Sequence, residues 1–179
     1  MPQEFLRLPR WIPLKEGSMS SVVSAVPKGF HTLTPHIVVD DAKAAADFYH
    51  RAFGADVMGL SFGPDGKVMH AQVRIGDSIL MFADEYPEWN SPAPSTTKAD
   101  TCVRLHLYVE DADKVFASAV EAGAQVVMPM TTQFWGDRYG QVTDPFGHRW
   151  SIATHVKDLT QEEMKAAAEQ AMAKMAGGS

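Results

Sequence analysis

The chain has 179 residues, 45% of them hydrophobic, a formal net charge of −6 and a single cysteine. That length suits one domain, or two small modules sharing a core, while an acidic balance without any Lys/Arg cluster argues against a nucleic-acid partner. No apolar run reaches bilayer-spanning length, and Cys102 alone builds neither a disulfide framework nor a zinc ribbon. The N-terminus lacks the continuous apolar stretch and cleavage site of a signal peptide, so the expected location is cytoplasmic. Cys102 stands where a strand should begin and is expected to be a buried structural thiol.

Residues 1–29 mix Pro, Gly and Ser with scattered apolar residues and are read as a loose arm; Met19 offers an internal start, so residues 1–18 are expected to be dispensable. From Phe30 the pattern sharpens. A strand over 33–39 is followed by Asp41, a helix over 42–53 and Gly54, a start and stop that suit helix caps. Strands follow at 57–62, 68–75 and 79–83, separated by turns at Gly63-Pro64-Asp65-Gly66 and Gly76-Asp77. Residues 85–100, rich in Pro and Ser, read as a linker.

After the linker the order repeats: a strand at 105–109, Asp111, a helix over 112–122, Gly123, then strands at 126–130, 139–143 and 149–154. HIVVDDA at 36–42 matches HLYVEDA at 106–112, an offset of 70 residues (36 to 106), and the same offset carries Met81-Phe82-Ala83 onto Ser151-Ile152-Ala153. Two copies of one βαβββ module are therefore expected, an α+β fold with a module over 30–84 and another over 101–156. The last two strands are joined by Asp144-Pro145-Phe146-Gly147, a turn in which Asp144 caps its own backbone and Gly147 takes positive φ; this stretch reads as a structural hairpin before it reads as a catalytic loop. Residues 157–179 hold a C-terminal helix and tail. Thr160 and Glu163 form a capping box, and Met164, Ala168, Met172 and Met175 mark a docking face for the core or a second subunit.

Strand alternation sorts the side chains into two faces. Leu33, Pro35, Ile37, Val39, Ala71, Val73, Ile75, Leu80, Phe82, Leu105, Leu107, Val109, Trp150 and Ile152 are expected against the helices. The opposite face then carries His36, His70, His106, His155, Arg74, Arg104, Arg149, Gln72, Tyr108 and Ser151. An acidic protein would place Asp, Glu and Lys on a solvated face, whereas His, Arg and Tyr suit anion binding and proton transfer in a concave pocket.

With the strings FHTLTPHIVVDDAKAAADFYHRAFGA, VMHAQVRIGDSILMFADE and FWGDRYGQVTDPFGHRWSIATH, the chain resembles the vicinal oxygen chelate superfamily, in its PhnB-like, glyoxalase/bleomycin-resistance branch. The likeness runs from about Phe30 to Met175. It implies paired βαβββ modules with U-shaped sheets, commonly in a homodimer, and a range of activities: metal-dependent lyases, isomerases, dioxygenases and thiol transferases, besides proteins that sequester drugs. In glyoxalase-type members a His or Glu in each module's first strand and a Glu in its fourth hold one divalent ion. The alignment places Thr34, Met81, Arg104 and Ser151 there, a set unsuited to zinc, nickel or manganese, so no metal and no other cofactor is expected.

Three functions remain open at this stage. The chain binds a small anionic or aromatic compound and acts on it as a metal-independent lyase or isomerase, with His36 and His106 as candidate catalytic bases. It sequesters such a compound without turnover. Or it is a divalent-metal enzyme using a displaced His36/His106 site. Arg104, Arg149, His70, Gln72, Tyr108, Ser151, Trp135 and Tyr139 are the candidate substrate-binding residues; Trp89 is a further aromatic that could stack on a flat ligand. The expected partners are a small-molecule ligand and a second copy of the chain, with neither nucleic acid nor membrane.

Overall fold

The computed structural model describes residues 23–176, the side chains of 174–176 excepted; the arm expected to be dispensable, residues 1–18, lies outside them. The first module runs β1 (His36–Val39), α1 (Ala42–Phe53), β2 (Asp56–Phe62), β3 (Val68–Ile75) and β4 (Ser78–Asp84). Residues between the modules form a short 3₁₀ turn, Pro87–Trp89, and α2 (Pro94–Thr97). They are tied down by Glu85, which accepts hydrogen bonds from the Ala93 amide and the Thr96 hydroxyl, both at 2.9 Å. The second module repeats the order as β5 (Arg104–Tyr108), α3 (Ala112–Glu121), β6 (Gln125–Thr132), β7 (Asp137–Thr143) and β8 (Arg149–His155), and α4 (Gln161–Ala176) follows.

Each module is a four-stranded mixed sheet, ordered β1-β4-β3-β2 and β5-β8-β7-β6. The first strand lies parallel to the fourth, which requires the helix and two strands between them as a crossover. β1 and β5 are thus both sheet edges. Helix capping follows the repeat: Asp41 receives the Lys43 and Ala44 amides, and Asp111 the Lys114 amide, all at 3.0 Å. Asp84, ending β4, accepts from the Ala42 amide; Thr154, 70 residues on, accepts from the Ala112 amide.

The helix-facing residues expected from alternation form one core. Val39, Ala71, Val73, Leu80, Phe82, Trp150 and Ile152 are buried there, with Ile37, Ile75, Leu105, Leu107 and Val109 packed against them. Leu33 and Pro35 depart from the expectation. The Thr34 hydroxyl donates to the His31 carbonyl, the strand begins only at His36, and Leu33 is 86% exposed. Cys102 also departs from it and is exposed, because β5 starts two residues later.

The Asp144–Gly147 turn joins the modules. Asp144 is 4% exposed, and its Oδ1 receives the Phe146 and His148 amides at 3.0 and 2.8 Å. Its Oδ2 receives the Trp150 indole N–H at 2.9 Å and the Tyr49 hydroxyl of α1 at 3.1 Å. Phe146 stacks edge-on against Phe48, and a His148 ring nitrogen meets the Val38 carbonyl at 2.8 Å. Gly147 sits at φ 90°, a conformation that favours glycine. The motif is a hairpin turn, as expected, and it is also a rivet between modules, which the sequence did not indicate. At the C-terminus the capping box forms as expected, Thr160 and Glu163 exchanging bonds of 2.8 and 3.2 Å. Of the methionine face, Met164 is half-buried and Met172 exposed, and among the described residues α4 packs extensively on no other element.

Candidate functional site

The helix-free faces repeat position by position. Across the first sheet His36 is the register partner of Met81, and Met81 of Gln72. Across the second, His106 pairs with Ser151, and Ser151 with Gln141. One step along, Val38 faces Ala83 in the first sheet, and Tyr108 faces Ala153, itself opposite Tyr139, in the second.

The free edges of β1 and β5 border a groove of about 1150 Å³. Its floor is apolar, made of Ile37, Leu80, Leu105, Leu107 and Trp150, and its polar side chains include His36, Arg104, His106 and Tyr108. A largely apolar concavity with a few convergent polar groups is the usual form of a small-molecule site. Four of the expected site residues thus meet in one place, and both modules contribute.

The remaining candidates, Arg149, His70, Gln72, Ser151, Trp135 and Tyr139, are not among the residues that line it. Arg149 is the direct cross-strand neighbour of Arg104, a like-charge pairing relieved by Asp100, whose carboxylate lies 2.9 Å from Arg149. Among the described residues Arg51, Arg74, Arg138 and Arg149 each have an aspartate partner, and Arg104 has none. The Gln72 amide donates to His70 Nε2 at 2.7 Å, and the His70 ring meets His36 edge-on at 6.1 Å. Ser151 is buried and is the cross-strand neighbour of His106. Trp135 and Tyr139 extend an aromatic shelf from His106 and Tyr108, with neighbouring centroids 4.5–6.0 Å apart. Trp89 stands apart, stacked on Tyr86 within the linker.

Burial lowers the pKa of His36, helped by the neighbouring His70. Burial also lowers that of His106, against the opposing field of Asp137. Both imidazoles are therefore neutral at pH 7 and able to accept a proton.

Asp137 is the residue that sequence reasoning missed. WGDRYG reads as a turn, yet Asp137 opens β7, is 4% exposed, and shares the alternation of Tyr139 and Gln141. It receives the Tyr108 hydroxyl, the Trp135 indole N–H and a ring nitrogen of His155. Extending the parity argument two residues back from Tyr139 would have found it.

The metal positions inferred from resemblance hold Thr34, Met81, Arg104 and Ser151. A shared ion requires neighbouring ligands, and the register sets His36 beside Met81 and His106 beside Ser151. Thr34 precedes β1, and Arg104 lies opposite Arg149. With Met81 and Ser151 where carboxylates would be needed, and no group of three His, Cys, Asp or Glu side chains gathered among the described residues, the donor set does not fit a divalent ion of the glyoxalase kind.

A profile of the Glyoxalase/Bleomycin resistance protein/Dioxygenase superfamily matches residues 29–152. The two βαβββ sheets and the groove between their edges agree with that match, and the chain belongs to this superfamily. An uncharacterized protein of Mycobacterium tuberculosis (strain H37Rv) is 46% identical over 138 residues, covering 75% of this chain and 81% of its own length. TioX from Micromonospora sp. ML1 is similar in structure, with a TM-score of 0.56 and 28% identity over 69% of this chain and 98% of that one. TnmS3 from Streptomyces sp. CB03234, an antibiotic binding protein, has a TM-score of 0.52 at 24% identity over 76% and 99% of the two chains, a likeness of fold alone. Among the described residues no helix is long and apolar enough to cross a membrane.

Proposed function

We propose that this protein binds a small molecule that combines an apolar or aromatic body with an anionic group, without metal or organic cofactor. The observation that carries this reading is Arg104, which lines an otherwise largely apolar groove and, among the described arginines, is the one without an acidic partner. Arg104 takes the anion, the floor from Ile37 to Trp150 takes the apolar body, and Tyr108, Tyr139 and Trp135 stack on flat parts of it. His36 and His106 supply hydrogen bonds. Arg149, His70, Gln72 and Ser151 support the walls. Sequestration, as the superfamily's bleomycin resistance proteins exemplify by name, needs nothing more.

Thermal-shift screening of small carboxylates, phosphonates and aromatic sulfonates, wild type against Arg104→Ala, tests the assignment. A ligand that raises the wild-type Tm should bind Arg104→Ala at least about tenfold more weakly, the worth of a charge-assisted bond. The variant's own Tm should stay within about 2 °C. An anion that binds both proteins equally would remove Arg104 from the site.

A second reading, a lyase or isomerase, is favoured by the lowered pKa values of His36 and His106, which leave a neutral base in each module. Excess ligand separates the two. A binder stops at one equivalent and returns its ligand unchanged, whereas an enzyme clears the excess. We also propose a homodimer, since β1 and β5 leave unpaired edges and Leu33 and Val103 stand exposed beside the groove. Light scattering that finds a monomer at micromolar concentration would overturn the dimer.

A further inference from the structure

We propose that Asp137 is the positioning residue of the second-module wall of this site: its buried carboxylate holds the Tyr108 and Trp135 rings in place and, through Tyr108, sets the position of His106 at the groove. The inference rests on the ligand-binding reading above and names the group that keeps half of that site in order.

Tyr108 ends an edge strand and is 65% exposed, so backbone pairing on one side and packing alone would leave its ring free to turn. Its hydroxyl instead donates to Asp137 Oδ2 at 3.2 Å, and its ring centroid lies 4.5 Å from that of His106. The same oxygen receives the Trp135 indole N–H at 3.0 Å. Oδ1 faces His155 Nδ1 at 2.8 Å, and His155 Nε2 lies 3.0 Å from Asp158. One carboxylate therefore gathers β5, the β6–β7 turn and β8.

The anchor is itself held rigidly. The Gly136 carbonyl accepts the Val156 and Lys157 amides at 2.9 and 3.0 Å. Gly136 takes φ 98°, and a Cβ there would strike the Lys157 carbonyl oxygen, so the turn carrying Trp135 and Asp137 admits glycine. Burial alone would raise the Asp137 carboxyl, but the bonds from His155, Tyr108 and Trp135 outweigh it and hold the group below the usual carboxylate range. It is charged whenever the protein is folded near neutral pH, and a buried charge with three donors resists rearrangement. The first module has Val38 where Tyr108 stands, and no corresponding anchor.

The test uses Asp137→Asn and Tyr108→Phe, alone and together, with 8-anilinonaphthalene-1-sulfonate as the aromatic anion. Each single variant should bind the probe about tenfold more weakly, and the double variant no more weakly than the poorer single one, because both changes break one linkage. Losses that add in full, or unchanged affinity in folded Asp137→Asn, would overturn the proposal. A second readout needs no ligand: the His106 ring titration followed by NMR. The charges of Arg104 and Arg149 in the adjoining row and the hydroxyls of Tyr108 and Tyr139 are the same in wild type and Asp137→Asn across this range. His155 does titrate in this range and loses its Asp137 partner in Asp137→Asn, so every protein in this measurement carries His155→Gln, and only the Asp137 charge then separates these two. Loss of the Asp137 charge should move His106 to lower pH, and Tyr108→Phe, which keeps that charge, should move it less. A wild type that ignores the probe would defeat the ligand reading, and the His106 titration would still decide on Asp137: no shift overturns it. Should Asp137→Asn fail to fold, Tyr108→Phe carries the test, and unchanged probe affinity there overturns the proposal.

Discussion

Matched by strand register, the first module presents His36, Met81 and Gln72 across its helix-free face, and the second presents His106, Ser151 and Gln141. The histidines and glutamines agree; almost everything around them differs. The first module surrounds its histidine with Val38 and His70, the second with Tyr108, Tyr139, Trp135, a buried aspartate and an unpaired arginine. The structural supports differ too. The β7–β8 turn of the second module carries the Asp144 rivet, whereas the β3–β4 turn of the first carries the exposed Asp77. A duplicated backbone dictates where side chains stand and leaves open what they are, so one copy could become the anchored, aromatic half of a site while the other kept a plain imidazole wall.

Removing the rivet should break this comparison most severely. Asp144→Ala strands the Tyr49 hydroxyl, the Trp150 indole N–H and two amides in the core, at a cost of about 3–5 kcal/mol. That corresponds to a Tm fall on the order of 10 °C for a chain of this size. Asp77→Ala, in the corresponding turn, should change stability by less than about 0.5 kcal/mol. Equal effects in calorimetry would mean the inter-module contact does not depend on Asp144.

The helix caps give a smaller and sharper contrast. Asp84 holds two amides, those of Ala42 and Val68, whereas Thr154 holds only that of Ala112 among backbone amides. In urea unfolding at constant m, Asp84→Ala should cost about 2 kcal/mol and Thr154→Ala about 1 kcal/mol. A reversed order would show that these positions are not equivalent caps.

The smallest effect is that of pH, and it separates the faces by sign. Bonds to Asp137 and Asp158 raise the pKa of His155, so its contribution is full below the unfolded value of about 6.5 and is lost as pH rises through the folded one. Burial lowers His36 and His106, so their contribution is present above about 6.5 and is lost as pH falls through their folded values. Tm against pH should therefore decline on both sides of a maximum near neutrality. His155→Gln should flatten the alkaline limb and leave the acid limb in place; an unchanged alkaline limb would mean that the Asp137–His155–Asp158 chain of contacts contributes nothing.

Sequence alone determined the duplicated βαβββ plan, the helix caps, the Thr160/Glu163 box and the face on which His36, Arg104, His106 and Tyr108 stand. Each of these follows from repeat matching or from a period of two or 3.6 residues, signals carried by residues close together in the chain. Tertiary structure decided the rest. Whether Met81 stands beside Thr34 or His36 depends on the register of strands more than 40 residues apart, which no local period specifies. Arg149 and Arg104 look alike in the strand pattern, and the Asp100 that pairs with Arg149 lies 49 residues away in the chain. Leu33 and Cys102 had strand-like neighbours, but strand edges are set by where hydrogen-bonding partners end. Asp137 has the look of a turn residue because the sequence WGDRYG contains its turn signal and only one of its partners, Trp135: Tyr108 and His155 reach it from other strands, across distances that only the folded sheet closes.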